Sequence, residues 1–383
     1  MTAKESTDIA IVGGGPAGSA CALALRNSGL QVTLIDKEEF PRDKVCGDAI
    51  ANSVPDLLGS ILPDFRQRVL EFGLKNSWTR MRIYSPSGNL AEFEFSKPGF
   101  ISKRIDFDNL LHGLVDEFSE TKIVTGQKVM ETRELEGGVE ICLEGGRIIS
   151  TKLLIGADGS NSVAGRAIAG DGLDHDHHCA AVRGYYRGIS CSDNGNIEIW
   201  FLEGYLPGYF WIFPLGDGQA NVGFGMLSSE CRKRKINLRE VLLSIPDAFP
   251  EIGKRFVNSE LIGSIAGFGL PLGSKKRRIS AKGILLTGDA AGLINPFTGE
   301  GISNAIASGI VAAKYARIAL KANDFSADLL RKYDEEIYAG MWKVFRSSYL
   351  MRRLLSDRTW MINFFVHAAN RSRWLKKIMK DSF

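Results

Sequence analysis

The residues best suited to chemistry near the start of the chain are three glycines in the pattern Gly13-x-Gly15-x-x-Gly18. They follow a short apolar run typical of a buried parallel strand and lead into an Ala- and Leu-rich stretch, starting at Pro16-Ala17, that favours a helix. In such a turn the first glycine permits a tight bend, the second lets the backbone approach a pyrophosphate, and the third allows close packing of helix on strand. The helix N-terminus then favours phosphate through its N–H groups and its dipole.

Asp36 strengthens this interpretation. It ends the second apolar strand eighteen positions after Gly18, close to the roughly 20 residues expected for the carboxylate that accepts hydrogen bonds from ribose hydroxyls. A glycine turn alone can be purely structural, but strand, turn, helix and Asp36 together predict a bound dinucleotide. These residues do not decide between FAD and NAD.

Two later segments resemble fingerprints of the para-hydroxybenzoate hydroxylase-type flavoproteins. Residues 153–162 contain Asp158-Gly159, and residues 283–291 contain Gly288-Asp289. The resemblance implies FAD, with Asp289 on its ribityl chain and Asp158-Gly159 near its pyrophosphate and, in hydroxylases, near a nicotinamide cofactor. Where that family has an arginine after the Asp-Gly motif, this chain has Gly165. No second glycine motif follows a strand, so we expect NAD(P)H, bound transiently, or a protein electron donor to reduce the flavin.

Three further segments resemble the geranylgeranyl reductase family: residues 40–48, 207–214 and 295–302. The Tyr-x-Trp-x-Phe-Pro pattern of the second is the most distinctive, although flavin-dependent halogenases carry a related one. The resemblance covers about residues 5–325 and implies reduction of isolated C=C bonds in polyprenyl chains. It implies further flavin contacts by Lys37, Cys46, Gly47, Arg104, Val129, Pro296, Gly299, Gly301 and Ile302, and substrate contacts by Tyr209, Trp211, Phe213 and Pro214.

The aromatic residues of this pattern suit an apolar substrate. Tyr209, Trp211 and Phe213 alternate along a predicted strand, so their side chains share one face. Aromatic side chains bury a large area with few rotamers, which favours a wall against a hydrocarbon chain. From the residues alone, the same face could be ordinary core between sheet and flavin domain.

Cys46 is the candidate catalytic residue. The resemblance implies that it faces the flavin, where a thiol could tune the ring, shape the pocket or relay a proton. The alternative is that Cys46 is a small buried apolar residue.

The order of segments predicts an α/β (α+β) protein. A Rossmann-type FAD-binding domain is expected over residues 1–75, 100–175 and 276–325, with an inserted antiparallel β-sheet substrate domain over 76–99 and 176–275. Residues 326–383 are expected to form C-terminal helices. One domain is therefore discontinuous.

Composition limits the remaining classes. The chain has 383 residues and a net charge of only +4, too small to indicate nucleic acid binding. Its six cysteines form no C-x-x-C pair, which favours a reduced cytoplasmic protein, and a monomer is expected. Residues 174–179 have metal-ligand types but no familiar spacing, so a solvated loop is expected and no metal. No uncharged run of about 18 residues predicts a membrane span.

The C-terminal region leaves two interpretations open. From Met341 to Phe383 there are ten Lys or Arg against two Asp. Aromatic residues are interleaved with them, namely Trp342, Phe345, Trp360, Phe364, Phe365 and Trp374. Basic helices with aromatic residues often lie on anionic membranes, giving peripheral membrane contact, but a helical lid packed on the fold has the same composition.

Three functions are compatible with these observations. The first is an FAD-dependent reductase that saturates C=C bonds of a polyprenyl lipid. The second is an FAD-dependent monooxygenase of the same fold that uses NADPH and oxygen on an aromatic or lipid substrate. The third is a non-catalytic flavin-binding electron carrier or sensor. Fold alone does not choose among them.

Overall fold

A computed structural model describes residues 5–169, 172–190, 196–356 and 358–371. Its strands are β1 (Glu5–Val12), β2 (Val32–Ile35), β3 (Ala49–Ile50), β4 (Ser77–Tyr84), β5 (Leu90–Ile101), β6 (Lys122–Val124), β7 (Val129–Leu135), β8 (Gly138–Leu143), β9 (Ile148–Gly156), β10 (His178–Arg187), β11 (Asn196–Trp200), β12 (Tyr209–Gly216), β13 (Gln219–Leu227), β14 (Glu260–Pro271), β15 (Ser280–Ala281) and β16 (Ile284–Leu286). Its helices are α1 (Pro16–Leu25), α2 (Val54–Gly59), α3 (Pro63–Gly73), α4 (Arg104–Phe118), α5 (Val163–Ala169), α6 (Ser228–Arg234), α7 (Leu238–Ala248), α8 (Pro250–Phe256), α9 (Ile302–Ala322), α10 (Ala327–Leu355) and α11 (Thr359–Arg371).

The first sheet has the order β15-β16-β9-β1-β2-β6, and its five central strands, from β16 to β6, run parallel. Apolar side chains cover both faces of β1, where Ile9, Ala10 and Ile11 are fully buried, as expected for a strand inside a parallel sheet. The unit β1–α1–β2 is the predicted dinucleotide-type segment. The Rossmann-type α/β fold class is thus confirmed.

The second sheet has the order β14-β10-β13-β12-β11-β4-β5-β3. It is antiparallel except where β11 runs parallel to β4. Strands β4 and β5 form a hairpin, and a turn at Asp217-Gly218 joins β12 to β13. Residues 228–271, for which the sequence pattern suggested no element, form α6, α7, α8 and β14. Glycines obscure β14 in the sequence, whereas pairing with β10 stabilises it as a strand.

The proposed domain division follows these two sheets with two local differences. Strand β3, from the first segment of the chain, pairs with β5 at the edge of the second sheet, and β5 extends to Ile101. We retain the division as a proposal.

The C-terminal helices α10 and α11 pack against the rest of the fold. Helix α10 buries Tyr333, Ile337 and Phe345, and the Tyr333 hydroxyl donates to the Leu286 carbonyl at 2.6 Å. Helix α11 packs Ile362 and other apolar side chains against β5. Within the described ranges, no helix is long and apolar enough to cross a membrane.

Candidate active site

The glycine turn is shaped by close backbone approaches. Gly13 has φ of +103°, and a Cβ there would lie 2.3 Å from the Ala157 carbonyl oxygen. A Cβ on Gly18 would lie 1.9 Å from the Gly13 carbonyl oxygen. Gly15 precedes the first residue of α1, Pro16, and no side chain caps this helix end. Backbone N–H groups at the N-terminus of α1 are therefore presented to the space that Gly13, Gly15, Pro16 and Ala17 line.

Asp36 ends β2 beside this turn. One carboxylate oxygen accepts from the Gly14 N–H at 2.6 Å and the other from the Glu38 N–H at 2.9 Å. Asp36 and Lys37 both line the cavity. These hydrogen bonds hold the carboxylate next to the glycine turn, which is where a ribose-binding carboxylate is required.

Asp289 follows β16 at the adjoining edge of the first sheet. Its Oδ2 lies 3.3 Å from Lys44 Nζ, and Lys44 also lies over the Phe268 ring at 4.5 Å. Lys44 belongs to the segment 40–48 that the sequence singled out, but the sequence did not show that it meets Asp289. The ion pair joins this segment, the second sheet and the end of β16 at one point of the cavity wall.

Alanine at Asp289 should weaken FAD retention by about 1 to 3 kcal/mol, because the cofactor loses a buried hydrogen-bond acceptor. Equilibrium binding of FAD to the apoprotein measures this loss. Asp289→Asn keeps one acceptor oxygen and should fall between alanine and wild type. Lys44→Met removes the ion pair alone, so an equal loss in Lys44→Met would assign the effect to that ion pair rather than to FAD.

Asp158 has a different environment from Asp289. It accepts a short hydrogen bond from the Ser162 hydroxyl and a 2.6 Å bond from the Val163 N–H, and it therefore caps α5. Burial raises the pKa of Asp158, partly offset by these hydrogen bonds. Asp158 and Gly159 line the cavity, so their predicted cofactor role remains a prediction alongside this structural one.

A buried network of ion pairs lies beside Cys46. Arg104 on α4 binds Asp108 through two nitrogens at 2.6 and 2.7 Å, and Arg42 reaches the same carboxylate at 2.7 Å. Burial alone lowers the pKa of Arg104, but Asp108 outweighs it and raises that pKa above its usual value. The Cys46 side chain lies near Arg104 in the wall of the cavity. Arg104 also lines the cavity, so the flavin contact that the resemblance implies for it stays a prediction.

One cavity of about 1100 Å³ joins the predicted flavin and substrate residues. Most of the predicted residues line it, namely Gly13, Gly15, Pro16, Ala17, Asp36, Lys37, Cys46, Gly47, Arg104, Val129, Asp158, Gly159, Asp289, Pro296, Gly299, Gly301, Ile302, Tyr209, Trp211 and Phe213. Three predicted residues do not line it. Gly18 packs against Gly13, and the Gly288 N–H donates to Ser308 Oγ at 2.9 Å. Pro214 alternates with Phe213 along β12, so its side chain lies on the opposite face of the sheet.

The aromatic face of β12 forms one wall of this cavity. Tyr209, Trp211 and Phe213 lie in sequence along it, with ring centroids about 6 Å apart. A Cβ on Gly223, the register partner of Trp211, would lie 2.1 Å from the indole, so that glycine provides the slot for the ring. The intervening residues Phe210 and Ile212 are buried in a separate core on the other side of the sheet.

Residues 295–302 lie directly opposite this wall. The Tyr209 hydroxyl donates to the Thr298 carbonyl at 2.6 Å, and Asn295 Oδ1 accepts from the Phe297 N–H at 2.9 Å. Gly301 then precedes α9, whose first residue is Ile302. The segment is therefore held between β12 and the end of the first sheet.

The sequence reasoning missed a buried polar cluster beneath the wall. Asn221 on β13 accepts from Trp211 Nε1 at 2.9 Å and donates at 2.8 Å to both the Cys46 carbonyl and Asp48 Oδ2. Asp48 also accepts from the Tyr185 hydroxyl at 2.8 Å, while its Oδ1 has no partner among the described residues. The available sequence signal was an asparagine within an otherwise apolar strand pattern, and the structure buries it fully.

Burial raises the pKa of Asp48 to about 6, against the lowering effects of Asn221, Tyr185 and Arg183. Because the pKa of Asp48 is higher in the folded state than in the unfolded state, protonation of Asp48 stabilises the fold. This stabilisation is fully present below the unfolded-state pKa of about 4 and is lost as the pH rises through 6. The unfolding free energy of Asp48→Asn, taken relative to that of wild type, should therefore increase by about 3 kcal/mol between pH 4 and pH 7. Urea unfolding at several pH values tests this, with exposed Asp247→Asn as the control. Parallel pH profiles for Asp48→Asn and wild type would contradict it.

Two of the three histidines of residues 174–179, His177 and His178, have side-chain partners, whereas His175 Nδ1 has none among the described residues. His177 Nδ1 lies 2.6 Å from Ser274 Oγ, and His178 Nδ1 lies 2.7 Å from Ser228 Oγ. Burial lowers the pKa of His178 to about 4. These contacts indicate a structural role for this segment.

Comparison with known proteins agrees with the two-sheet site. Residues 178–256 match the family described as geranylgeranyl reductase catalytic domain, and residues 7–175 match pyridine nucleotide-disulphide oxidoreductase. The chain is 31% identical over 335 residues to a menaquinone reductase of Mycobacterium tuberculosis, covering 82% of this chain and 77% of that protein. The chain belongs to the geranylgeranyl reductase family. It is also 30% identical to a digeranylgeranylglycerophospholipid reductase of Thermoplasma volcanium, covering 86% of this chain and 83% of the relative.

Solved structures place this geranylgeranyl reductase family member in the same fold. A geranylgeranyl bacteriochlorophyll reductase-like protein of Thermoplasma acidophilum aligns with a TM-score of 0.81 and 25% identity, over 95% of this chain and 91% of that one. A flavin-dependent brominase aligns with a TM-score of 0.76 at 21% identity, over 97% and 92%, which shows a shared fold alone. The protein is a flavin oxidoreductase, and its glycine turn, α1 N-terminus and cavity fit FAD.

Proposed function

We propose that this protein is an FAD-dependent reductase that saturates C=C bonds of a polyprenyl, geranylgeranyl-type lipid. The continuity of the aromatic wall with the flavin-side cavity carries the proposal, because it brings a long apolar surface to the cofactor site. Relatives named as reductases of isoprenoid lipids support the substrate class. We propose NAD(P)H or a protein donor as the reductant.

Bound and reduced, FAD would provide the hydride for one alkene carbon, and a proton would be needed at the other. The residues of this chain bind and orient the alkene. Trp211 is fixed by Asn221, and Tyr209 by Thr298, so the wall is rigid before substrate enters. The apolar lining excludes water from the reacting carbons. Cys46 is proposed to lie beside the flavin, where Arg104 and Asn221 position it.

The reaction type is tested by separating reduction from oxygenation. Holoenzyme reduced with dithionite under argon should convert geranylgeranyl diphosphate or a prenylated lipid to products heavier by two hydrogens. The same mixture in air with NADPH should contain no oxygenated product. A product that forms only in air and carries an added oxygen atom would instead identify a monooxygenase. If FAD can be reduced but no product forms under either condition, the protein would instead be identified as an electron carrier.

We also propose that the C-terminal helices contact membrane lipid. Trp360 and Phe364 on α11 are 67% and 58% exposed, and basic Arg353 and Arg358 lie close in sequence. The pattern is mixed, because Phe345 is fully buried and Trp342 packs against the core. Trp374 lies outside the described residues.

Replacing both Trp360 and Phe364 with serine should weaken binding to anionic vesicles about tenfold or more, since burying one such side chain contributes on the order of 1.5 to 3 kcal/mol. Sedimentation with phosphatidylglycerol vesicles measures it. Val257→Ser is the matched control, because Val257 is 77% exposed on a different part of the molecule. Undiminished sedimentation of the double variant would exclude this face.

A further inference from the structure

Arg352 on α10 is a buried cation in the cavity wall. It is 7% exposed, and its Nη1 has no hydrogen-bond partner in the described part of the chain. Its guanidinium lies 5.3 Å from the Tyr349 ring and contacts the Cys179 thiol, which burial keeps protonated by raising its pKa to about 11. Neither neighbour neutralises the charge.

This environment differs from that of other arginines in the wall. Arg42 and Arg104 share Asp108, and Arg183 binds Asp43 at 2.5 Å. Across residues 5–169, 172–190, 196–356 and 358–371, Arg352 forms no ion pair within 4.0 Å. Burying a charge without a counter-ion is costly, and buried charges in proteins are normally paired. Burial accordingly lowers the pKa of Arg352. A ligand anion would supply the missing counter-ion.

Neighbouring side chains place Arg352 at the substrate sheet. The strand register brings Tyr209 close to Cys179, because Tyr209 pairs with Gly225 on β13, and Gly225 pairs with Ala181, two residues along β10 from Cys179. Arg352 borders Cys179, whose partners across β10 are Leu227 and Leu270. Cys46, Tyr209, Cys179 and Arg352 all line the same cavity. The apolar residues Met226, Leu227, Leu270 and Leu272 line the same cavity.

We propose that Arg352 binds an acidic phosphate oxygen in the head group of the prenyl lipid, an inference that rests on the proposed reductase function. A hydrocarbon chain can then lie along the aromatic wall while its charged end is paired with the guanidinium. A phosphate matches a guanidinium in both charge and hydrogen-bond geometry. A neutral head group leaves the buried charge unpaired and is therefore disfavoured.

Binding to oxidised holoenzyme tests this without turnover. Geranylgeranyl monophosphate and geranylgeraniol are the matched probes, and their dissociation constants are measured from quenching of tryptophan fluorescence. Arg352→Met should raise the constant for the phosphate about 10- to 100-fold, the range of a lost charge-assisted hydrogen bond. It should leave the constant for the alcohol unchanged. Arg352→Lys should restore part of the loss.

Controls separate the alternatives. Arg331→Met removes an exposed charge elsewhere on the same helix and should change neither constant. Inorganic phosphate should compete only weakly, since it lacks the chain; equally tight binding of inorganic phosphate would show a free-anion site and overturn the assignment to a lipid head. Equal weakening of both lipids, or of neither, in Arg352→Met with full FAD content would also overturn it. A wild-type enzyme that binds the phosphate through Arg352 but never saturates it would refute the proposed reaction and leave this inference standing.

Discussion

Gly18→Ala is expected to yield protein without bound FAD. The new Cβ would lie 1.9 Å from the Gly13 carbonyl oxygen and 3.2 Å from Ile11 Cγ2. Backbone and a buried strand side chain cannot move aside as a flexible surface chain can, so α1 must shift away from β1. The shift displaces the helix N-terminus that faces the phosphates, and overpacking of this kind costs about 1 to 3 kcal/mol or more.

FAD content per chain after purification, and again after reconstitution, measures this effect. Gly113→Ala is the matched control, because Gly113 lies in α4 and a Cβ added there would have no atom of the described residues outside its own helix turn within 4 Å. Alanine there should leave FAD content unchanged and stabilise the helix by roughly 0.5 to 1 kcal/mol. A yellow Gly18→Ala protein with wild-type FAD affinity would show that the turn does not need this close approach.

Trp211→Ala should lower kcat/KM for a prenyl substrate by about 10- to 100-fold, the value of burying one large side chain against the substrate. It removes the central ring of the aromatic wall and leaves Asn221 Oδ1 without its donor. FAD content should stay near that of wild type, since Trp211 belongs to the second sheet. Truncation of a buried aromatic also costs about 3 to 5 kcal/mol of stability, so unfolding must be measured in parallel.

Phe210→Ala is the control for that loss of stability. Phe210 is fully buried on the same strand but faces the opposite core, away from the cavity. It should destabilise the fold comparably and leave kcat/KM of the folded enzyme near wild type. If folded Trp211→Ala reduces the prenyl lipid as fast as Phe210→Ala does, the aromatic wall does not contact substrate.

Features set by neighbouring residues could be predicted from the sequence. The glycine turn, the carboxylate after β2 and the alternation of Tyr209, Trp211 and Phe213 depend on backbone geometry over a few positions, so residue type and spacing were sufficient. The order of the segments also predicted the two sheets. No element was predicted over residues 228–271, where glycines hide β14 and its pairing with β10 makes it a strand.

Contacts between distant segments were decided by the tertiary structure alone. Asn221 binds Cys46 and Asp48, which lie 175 and 173 positions away, and Lys44 meets Asp289 across 245. No spacing rule links such residues, because the packing of one sheet on the other sets their distance. Burial is equally invisible in the sequence. In the sequence, Asp48 and Arg352 are ordinary charged residues. In the structure, the surrounding side chains exclude water from both. The pKa of the Asp48 carboxyl is raised as a result, and Arg352 is a buried cation without a counter-ion among the described residues.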